Sequence, residues 1–138
     1  MRALVQRVSR AAVRVDGAAV AEIGPGLLVL LGVAASDDER AADRLAAKVR
    51  ALRVFADANG SMNEPLGERE ILCVSQFTLY GDARKGNRPS FIVAARPEYA
   101  RPLYERFCEL ARAHRGAFGE HMEVELVNDG PVTLMLEA

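Results

Sequence analysis

The sequence predicts an α+β domain: a mostly antiparallel, curved sheet or barrel-like β structure with two main helices. Three observations carry that expectation. Apolar residues alternate with polar ones near both ends of the chain, a continuous apolar run follows the first alternating stretches, and only two widely separated segments have helical spacing. A length of 138 residues with 50% apolar content is enough for one ordinary core, so a single domain covering residues 1–138 is expected.

From Ala3 to Val8, and again from Ala12 to Ile23, apolar side chains recur at about every second position, as a half-buried strand requires. Asp16-Gly17 interrupts the second stretch and predicts a hairpin, because a type I′ turn needs positive φ at both central residues. Gly24-Pro25-Gly26 then breaks the chain before Leu27 to Ala35, whose unbroken apolar character reads as a strand buried on both faces. Ser36-Asp37-Asp38-Glu39 has the pattern of a capping box, and Ala42, Leu45, Val49 and Leu52 beyond it keep one helical face. Residues 57–70, rich in Gly, Asn, Pro and Glu, read as a loop.

Ile71 to Tyr80 returns to strand character, with Ser75, Gln76 and Thr78 following four apolar residues. Pro97 opens a second helix on which Tyr99, Leu103, Phe107, Leu110 and His114 share a face, Pro102 allows a late start or a kink, and Gly116 is placed to close it. The chain ends with two short strands, Met122 to Val127 and Val132 to Leu136, around Asn128-Asp129-Gly130-Pro131.

Several function classes are excluded early. The mixed charges and net charge of −1 exclude a disordered acidic chain and a globally basic nucleic-acid coat, so any RNA contact must be local. Two cysteines, Cys73 and Cys108, give neither a disulfide framework nor a zinc spacing, and a reducing compartment fits. The opening residues lack a signal-peptide core and no apolar run approaches a membrane span, which makes the cytoplasm the default location and a membrane partner unexpected. No metal and no cofactor is called for.

Three segments carry chemistry. Ser75-Gln76-Phe77-Thr78-Leu79 gathers two hydroxyls, an amide and consecutive backbone N–H groups where the chain leaves the core. Ester hydrolysis needs donors aimed at a developing oxyanion and a positioned water or hydroxyl, and this composition supplies both; it equally suits a strand end with ordinary hydrogen-bonded hydroxyls. Only His114 and His121 are available as histidine bases; His121 falls on the strand face opposite Met122, Val124 and Leu126, and His114 reads as a helix-terminal cation, so a mechanism without a histidine base is expected. Arg84-Lys85-Gly86-Asn87-Arg88 suits phosphate contacts at an RNA 3′ end, or a solvated loop. Gly130-Pro131 presents backbone carbonyls without a Gly side chain, a means of testing substrate shape by sterics, or else forms a plain turn.

Taken together, Ser75-Gln76-Phe77-Thr78-Leu79 and Asn128-Asp129-Gly130-Pro131-Val132-Thr133 resemble the two signature motifs of the D-aminoacyl-tRNA deacylase family. The opening Met1-Arg2-Ala3-Leu4-Val5-Gln6-Arg7-Val8, Gly24-Pro25-Gly26 and Lys85-Gly86-Asn87-Arg88-Pro89-Ser90-Phe91 extend the resemblance over nearly the whole chain. The resemblance implies hydrolysis of the ester of D-aminoacyl-tRNA and mischarged glycyl-tRNA by a homodimer that binds the tRNA 3′ end. It implies that Gly130 and Pro131, through a cis peptide, enter the other subunit's site as a chiral filter braced by Arg7. Ser75, Gln76, Phe77 and Thr78 match the pocket floor, and Phe77 matches the D-specific branch, where related animal tRNA deacylases carry alanine. Phe118 and Met122 match the neighbourhood of the terminal adenosine, while Lys85 and Arg88 are the cations of the basic loop that could contact RNA. Two roles for the chemistry stand side by side: Thr78 as nucleophile, or attack by water assisted by the 2′-hydroxyl of the terminal adenosine, which suits a chain without a histidine base. The segment Ala111 to Phe118 is a few residues shorter than is usual in the family, and Glu120-His121 stands where Ala-Asp is common. A threonyl-tRNA-synthetase-like editing domain and a non-catalytic RNA-end binding module are the competing readings.

Overall fold

In a computed structural model that describes all 138 residues, β1 (Arg2–Val15) runs through the centre of a six-stranded sheet. The predicted turn forms at Asp16 and Gly17, with φ of 50° and 79°, and returns the chain as β2 (Ala18–Ile23) antiparallel to the second half of β1. β3 (Gly26–Gly32) then pairs antiparallel with the first half, from Arg2↔Gly32 to Val8↔Gly26. The two alternating stretches are therefore one 14-residue strand and its hairpin partner.

β3 is buried on both faces, as its unbroken apolar run requires. Leu27, Val29 and Leu31 join a core shared with the helices, while Leu28 packs with Val8, Val13, Ile23, Leu72 and Val74 in a second cluster on the other side of the sheet. β6 (Glu70–Ser75) lies parallel to β3, Gly26↔Glu70 through Leu31↔Ser75, and repeats the two-sided pattern: Ile71 and Cys73 join the core shared with the helices, Leu72 and Val74 the second cluster. The small β7 (His114–Arg115) is parallel to β6, so the sheet is mixed at this edge. β4 (Phe55–Ala56) and β5 (Met62–Glu64) form a separate two-stranded ribbon, of which β4 precedes and β5 lies within the segment 57–70 expected to be loop.

α1 (Glu39–Ala51) buries Ala42, Leu45 and Val49 as predicted, together with Ala41 and Ala46. Its cap is not Ser36. The chain bends at Ala34–Asp37 so that the buried Asp37 carboxylate accepts from Ala34 N at 2.7 Å and pairs with the amino terminus at 2.6 Å. The helix consequently starts later, with Asp38 Oδ1 accepting from Ala41 N at 3.0 Å.

α2 (Pro97–Ala111) keeps Pro102 inside its first turns and buries Ala100, Leu103, Tyr104, Phe107, Cys108 and Ala111; Tyr99 and Leu110 are exposed, so the buried face is rotated from the predicted one. Arg112, at φ 55°, closes the helix in the left-handed conformation, and Gly116 instead sits against β6, its N–H donating to Cys73 O at 2.9 Å. His114 is therefore past the helix, in β7, where Nε2 lies 2.6 Å from Glu70 Oε2. α1 and α2 are tied by Arg106, whose guanidinium meets the Asp43 carboxylate at 2.5 and 3.0 Å, and by Arg50 donating to Ala111 O at 2.8 Å. No helix is long and apolar enough to cross a membrane.

β8 (Glu123–Glu137) is one strand, not two around a turn. Both halves run antiparallel to β1, 133–137 against Arg2–Gln6 and 123–128 against Val8–Arg14, so the chain cannot reverse at Gly130-Pro131. Residues 129–132 bulge out opposite Arg7 instead.

Gly26 fixes where β6 starts. A Cβ there would lie 1.8 Å from Glu70 O and 2.8 Å from Glu70 C, both backbone atoms that cannot swing aside. Gly26→Ala is expected to cost about 3 kcal/mol or more, since relief requires parting β3 from β6. Denaturant unfolding checks this; a cost below about 1 kcal/mol would mean that the junction adapts freely.

Candidate functional site

The polar cluster after Val74 is not a continuation of the strand. β6 stops at Ser75, Gln76 N donates to Leu31 O at 2.7 Å, and Phe77–Tyr80 winds into a 3₁₀ turn closed by Leu79 N to Gln76 O at 3.3 Å and Gly81 N to Thr78 O at 2.9 Å. A 3₁₀ turn leaves its first N–H groups without internal acceptors. Here those of Phe77 and Thr78 donate to nothing within the chain, and both residues are exposed. Two consecutive N–H groups at the end of a buried strand are the kind of rigid donor pair that stabilises a developing oxyanion.

The surrounding side chains are ordered. Gln76 Nε2 donates to Thr78 Oγ1, fixing the hydroxyl relative to the strand. Phe77, 54% exposed, meets Phe91 edge-on at a centroid distance of 5.1 Å and an angle of 72°. Gly81 lets Phe91 come this close, because a Cβ at 81 would be 2.9 Å from Phe91 Cε1 and 3.0 Å from Thr78 O. Phe91 lies in an irregular segment, so no periodicity marks it as a site residue; its place at the end of Lys85-Gly86-Asn87-Arg88-Pro89-Ser90-Phe91 is its sequence signal.

Phe118 and Met122 lie on the segment that Gly116 anchors to β6. Phe118 packs at 5.5 Å from the Tyr104 ring, with the Arg101 guanidinium 5.5 Å from its own centroid, and Met122 Sδ accepts from Ala117 N at 3.3 Å. Tyr104, a core residue whose phenol is pushed up by burial, donates to Cys73 O at 2.9 Å and so supports the same strand end from behind.

The basic loop is sorted by its hydrogen bonds. Asp82 accepts from Arg84 N at 3.0 Å, Nε at 2.9 Å and Nη2 at 2.7 Å, and those bonds hold its carboxyl down to about 2. Arg84 is thereby occupied in shaping the loop, whereas Lys85 and Arg88 are exposed and carry no ion pair.

Arg7 braces the bulge in β8. Its side chain, 15% exposed, donates from Nε to Asp129 O at 3.0 Å and from Nη1 to Val54 O at 2.5 Å, with Asp129 Oδ2 3.4 Å away. Asn128 closes the base, its Nδ2 donating to Arg7 O at 2.9 Å and Val132 O at 3.2 Å. Gly130 and Pro131, joined by a cis peptide, are exposed at the apex.

These two groups of residues do not meet within one chain. Ser75 is level with Leu31, Ala3 and Leu136, whereas the bulge is level with Arg7 and Leu27. The offset is four residues along β1, about 13 Å, and three strand spacings across the sheet from β8 to β6, about 14 Å.

Similarity to known proteins covers both groups. Residues 4–137 match the family described as D-Tyr-tRNA(Tyr) deacylase. The chain is 59% identical to the D-aminoacyl-tRNA deacylase of Symbiobacterium thermophilum, over all of this chain and 96% of that one, and 56% identical to the enzyme of the same name from Myxococcus xanthus, over all of this chain and 95% of that one. Among solved structures, one described as c-Myc DNA Unwinding Element Binding Protein superposes with a TM-score of 0.94 at 41% identity, covering 100% of this chain and 99% of the other. Another, described as a probable eukaryotic D-amino acid tRNA deacylase, shares the fold with a TM-score of 0.84 at 19% identity, covering 99% and 98%. With a family match spanning almost every residue and relatives above 50% identity over full length, the chain belongs to the D-Tyr-tRNA(Tyr) deacylase family.

Proposed function

We propose that the chain hydrolyses the ester of D-aminoacyl-tRNA and of mischarged glycyl-tRNA, at a pocket built from Ser75–Thr78 of one subunit and Gly130-Pro131 of another. The observation that carries this reading is the pair of free N–H groups at Phe77 and Thr78, set at the end of a strand buried on both faces. They hold the ester carbonyl as it becomes an oxyanion. The Gly130-Pro131 apex then excludes an L side chain by contact, so that selectivity is rejection rather than attraction. Glycine, with no side chain, passes.

The division between subunits is supported by the offset of the two groups along and across the sheet. It is also supported by apolar surface on both: Phe77, Ile92 and Val93 beside the strand end, and Val127, Leu134 and Met135 flanking the bulge are all exposed in the single chain. Burial against another copy would cover exposed apolar side chains at both places, and in a two-fold dimer each bulge would meet the other's strand end.

The test is whether the purified protein accelerates ester loss from D-tyrosyl-tRNA. Binding of the tRNA end without any acceleration would favour a non-catalytic nucleic-acid binding module, the second reading, which the exposed Lys85 and Arg88 support by themselves. Under either reading those two cations contact phosphate. Lys85→Ala and Arg88→Ala are each expected to weaken tRNA binding and to lower the slope of log affinity against log salt by about 0.7–0.9. Unchanged slopes in both variants would remove this loop from the interface.

A further inference from the structure

Arg2 stands at the start of β1, between Gly32 of β3 and Glu137 of β8. Its guanidinium makes three contacts at once. Nη1 donates to Leu79 O at 2.9 Å, Nε donates to Glu137 Oε1 at 3.0 Å, and the planar group lies over the Tyr80 ring at 4.6 Å from the centroid. Leu79 and Tyr80 are the second half of the 3₁₀ turn whose first half offers the free Phe77 and Thr78 N–H groups. A four-residue turn has little hydrogen bonding of its own to fix its angle to the strand before it.

The turn also rests on Gly32, where a Cβ would be 3.1 Å from Gln76 O, 3.2 Å from Leu79 Cβ and 3.3 Å from Tyr80 Cδ2. Gly32 lets the turn lie flat on β3, and Arg2, its neighbour in the pairing, fastens it from the β1 side. Only an arginine meets all three demands, because a planar fork donates in two directions while presenting a face to an aromatic ring.

We propose that Arg2 is a positioning residue for hydrolysis: by holding Leu79 and Tyr80 it sets the aim of the Phe77 and Thr78 N–H groups. This rests on the hydrolase reading given under Proposed function. Arg2 touches no substrate. Its effect is on the reacting geometry, and the bulk of tRNA affinity comes from phosphate contacts elsewhere, so kcat rather than KM is the parameter it controls.

The experiment compares Arg2→Ala, Arg2→Lys and, as control, Arg10→Ala, which lies on the same strand as Arg2 and removes an exposed ion pair with Glu125 of β8. Arg2→Ala is expected to lower kcat on D-tyrosyl-tRNA roughly ten- to a hundredfold with KM changed less than about threefold. Arg2→Lys keeps the pair with Glu137 but cannot also donate to Leu79 and lie flat on Tyr80, and is expected to fall between; Arg10→Ala keeps wild-type kcat. Amide hydrogen exchange supplies a readout that does not depend on activity. In Arg2→Ala the Leu79 and Gly81 amides are expected to exchange about tenfold faster while those of β3 and β6 are unchanged. A wild-type kcat in folded Arg2→Ala, or in Arg2→Lys if the alanine variant does not fold, overturns the proposal, as does unaltered exchange at Leu79 and Gly81. Absence of deacylase activity in the wild-type protein would instead overturn the hydrolase reading, with the exchange result still reporting on the clamp.

Discussion

Gly130→Ala is expected to lower kcat/KM on D-aminoacyl-tRNA by about a hundredfold or more while leaving the protein folded. An added Cβ would lie 2.5 Å from Val132 N, 3.1 Å from Val132 Cγ2 and 3.2 Å from Arg7 Nη2, at a φ of +150° that L residues rarely adopt. Since Gly130 is exposed on a bulge, the collision is relieved by moving the bulge rather than by opening the core, and the stability cost stays at about 1–3 kcal/mol. A displacement of about 1 Å in a group that confines the substrate is enough for a hundredfold loss. The same variant tests the division between subunits. Phe77→Pro removes one of the two free N–H groups at a position where the first residue of a turn tolerates proline and where Gln76, at φ −143° and ψ 79°, lies outside the α region that a following proline disfavours. Each variant alone is expected to be nearly inactive. Reassembled as a one-to-one mixture they should recover about a quarter of wild-type activity, because half the dimers are mixed and each mixed dimer has one intact site. No recovery would put both lesions in the same site of the same chain.

The second large effect concerns the nucleophile. Thr78→Ala is expected to keep activity within about tenfold of wild type, whereas tRNA ending in 2′-deoxyadenosine should lose about a hundredfold or more, the scale of removing a general acid–base contribution. Thr78 Oγ1 accepts from Gln76 Nε2 and faces no base. Both histidines are exposed, and His114 is engaged with Glu70 at the level of Leu72. Asp82, the carboxylate nearest in sequence, is pushed down to about 2 by its hydrogen bonds from Arg84 and is a poor proton acceptor at neutral pH. On the proposed reading, a chain with no base beside its hydroxyl borrows activation from the substrate. An inactive Thr78→Ala enzyme together with a competent deoxy substrate would make Thr78 the nucleophile.

What could be read from the sequence divides along physical lines. Local signals were sufficient where the answer is local. Asp16-Gly17 requires a hairpin, the unbroken run after Pro25 requires two buried faces, and the spacing of Ala42, Leu45 and Val49 requires one helical face against the core. The errors arise where a distant partner decides. Ser36 has the residue pattern of a cap, but Asp37 is drawn inward by the amino terminus and Asp38 caps instead. Asn128-Asp129-Gly130-Pro131 has the composition of a turn, yet both flanking segments pair with β1 in the same sense, and the four residues bulge over Arg7. Likewise Ser75 to Tyr80 reads as strand by residue type, while the bond from Gln76 N to Leu31 O is the last it makes to β3, and the residues beyond wind into the turn that frees two N–H groups. The separation of the two motifs in space was invisible in sequence, since it depends on register across four strands.

The measurement that bears most directly on the account is the rate of ester hydrolysis by the wild-type protein on matched D- and L-forms of one aminoacyl-tRNA, with glycyl-tRNA alongside. A steric clash of about 3 kcal/mol at the Gly130-Pro131 apex corresponds to roughly a hundredfold discrimination. Fast hydrolysis of the D and glycyl substrates is expected, with hydrolysis of the L substrate slower by at least that factor. Comparable rates on the D and L forms would contradict selection by exclusion, whatever the deacylase activity itself.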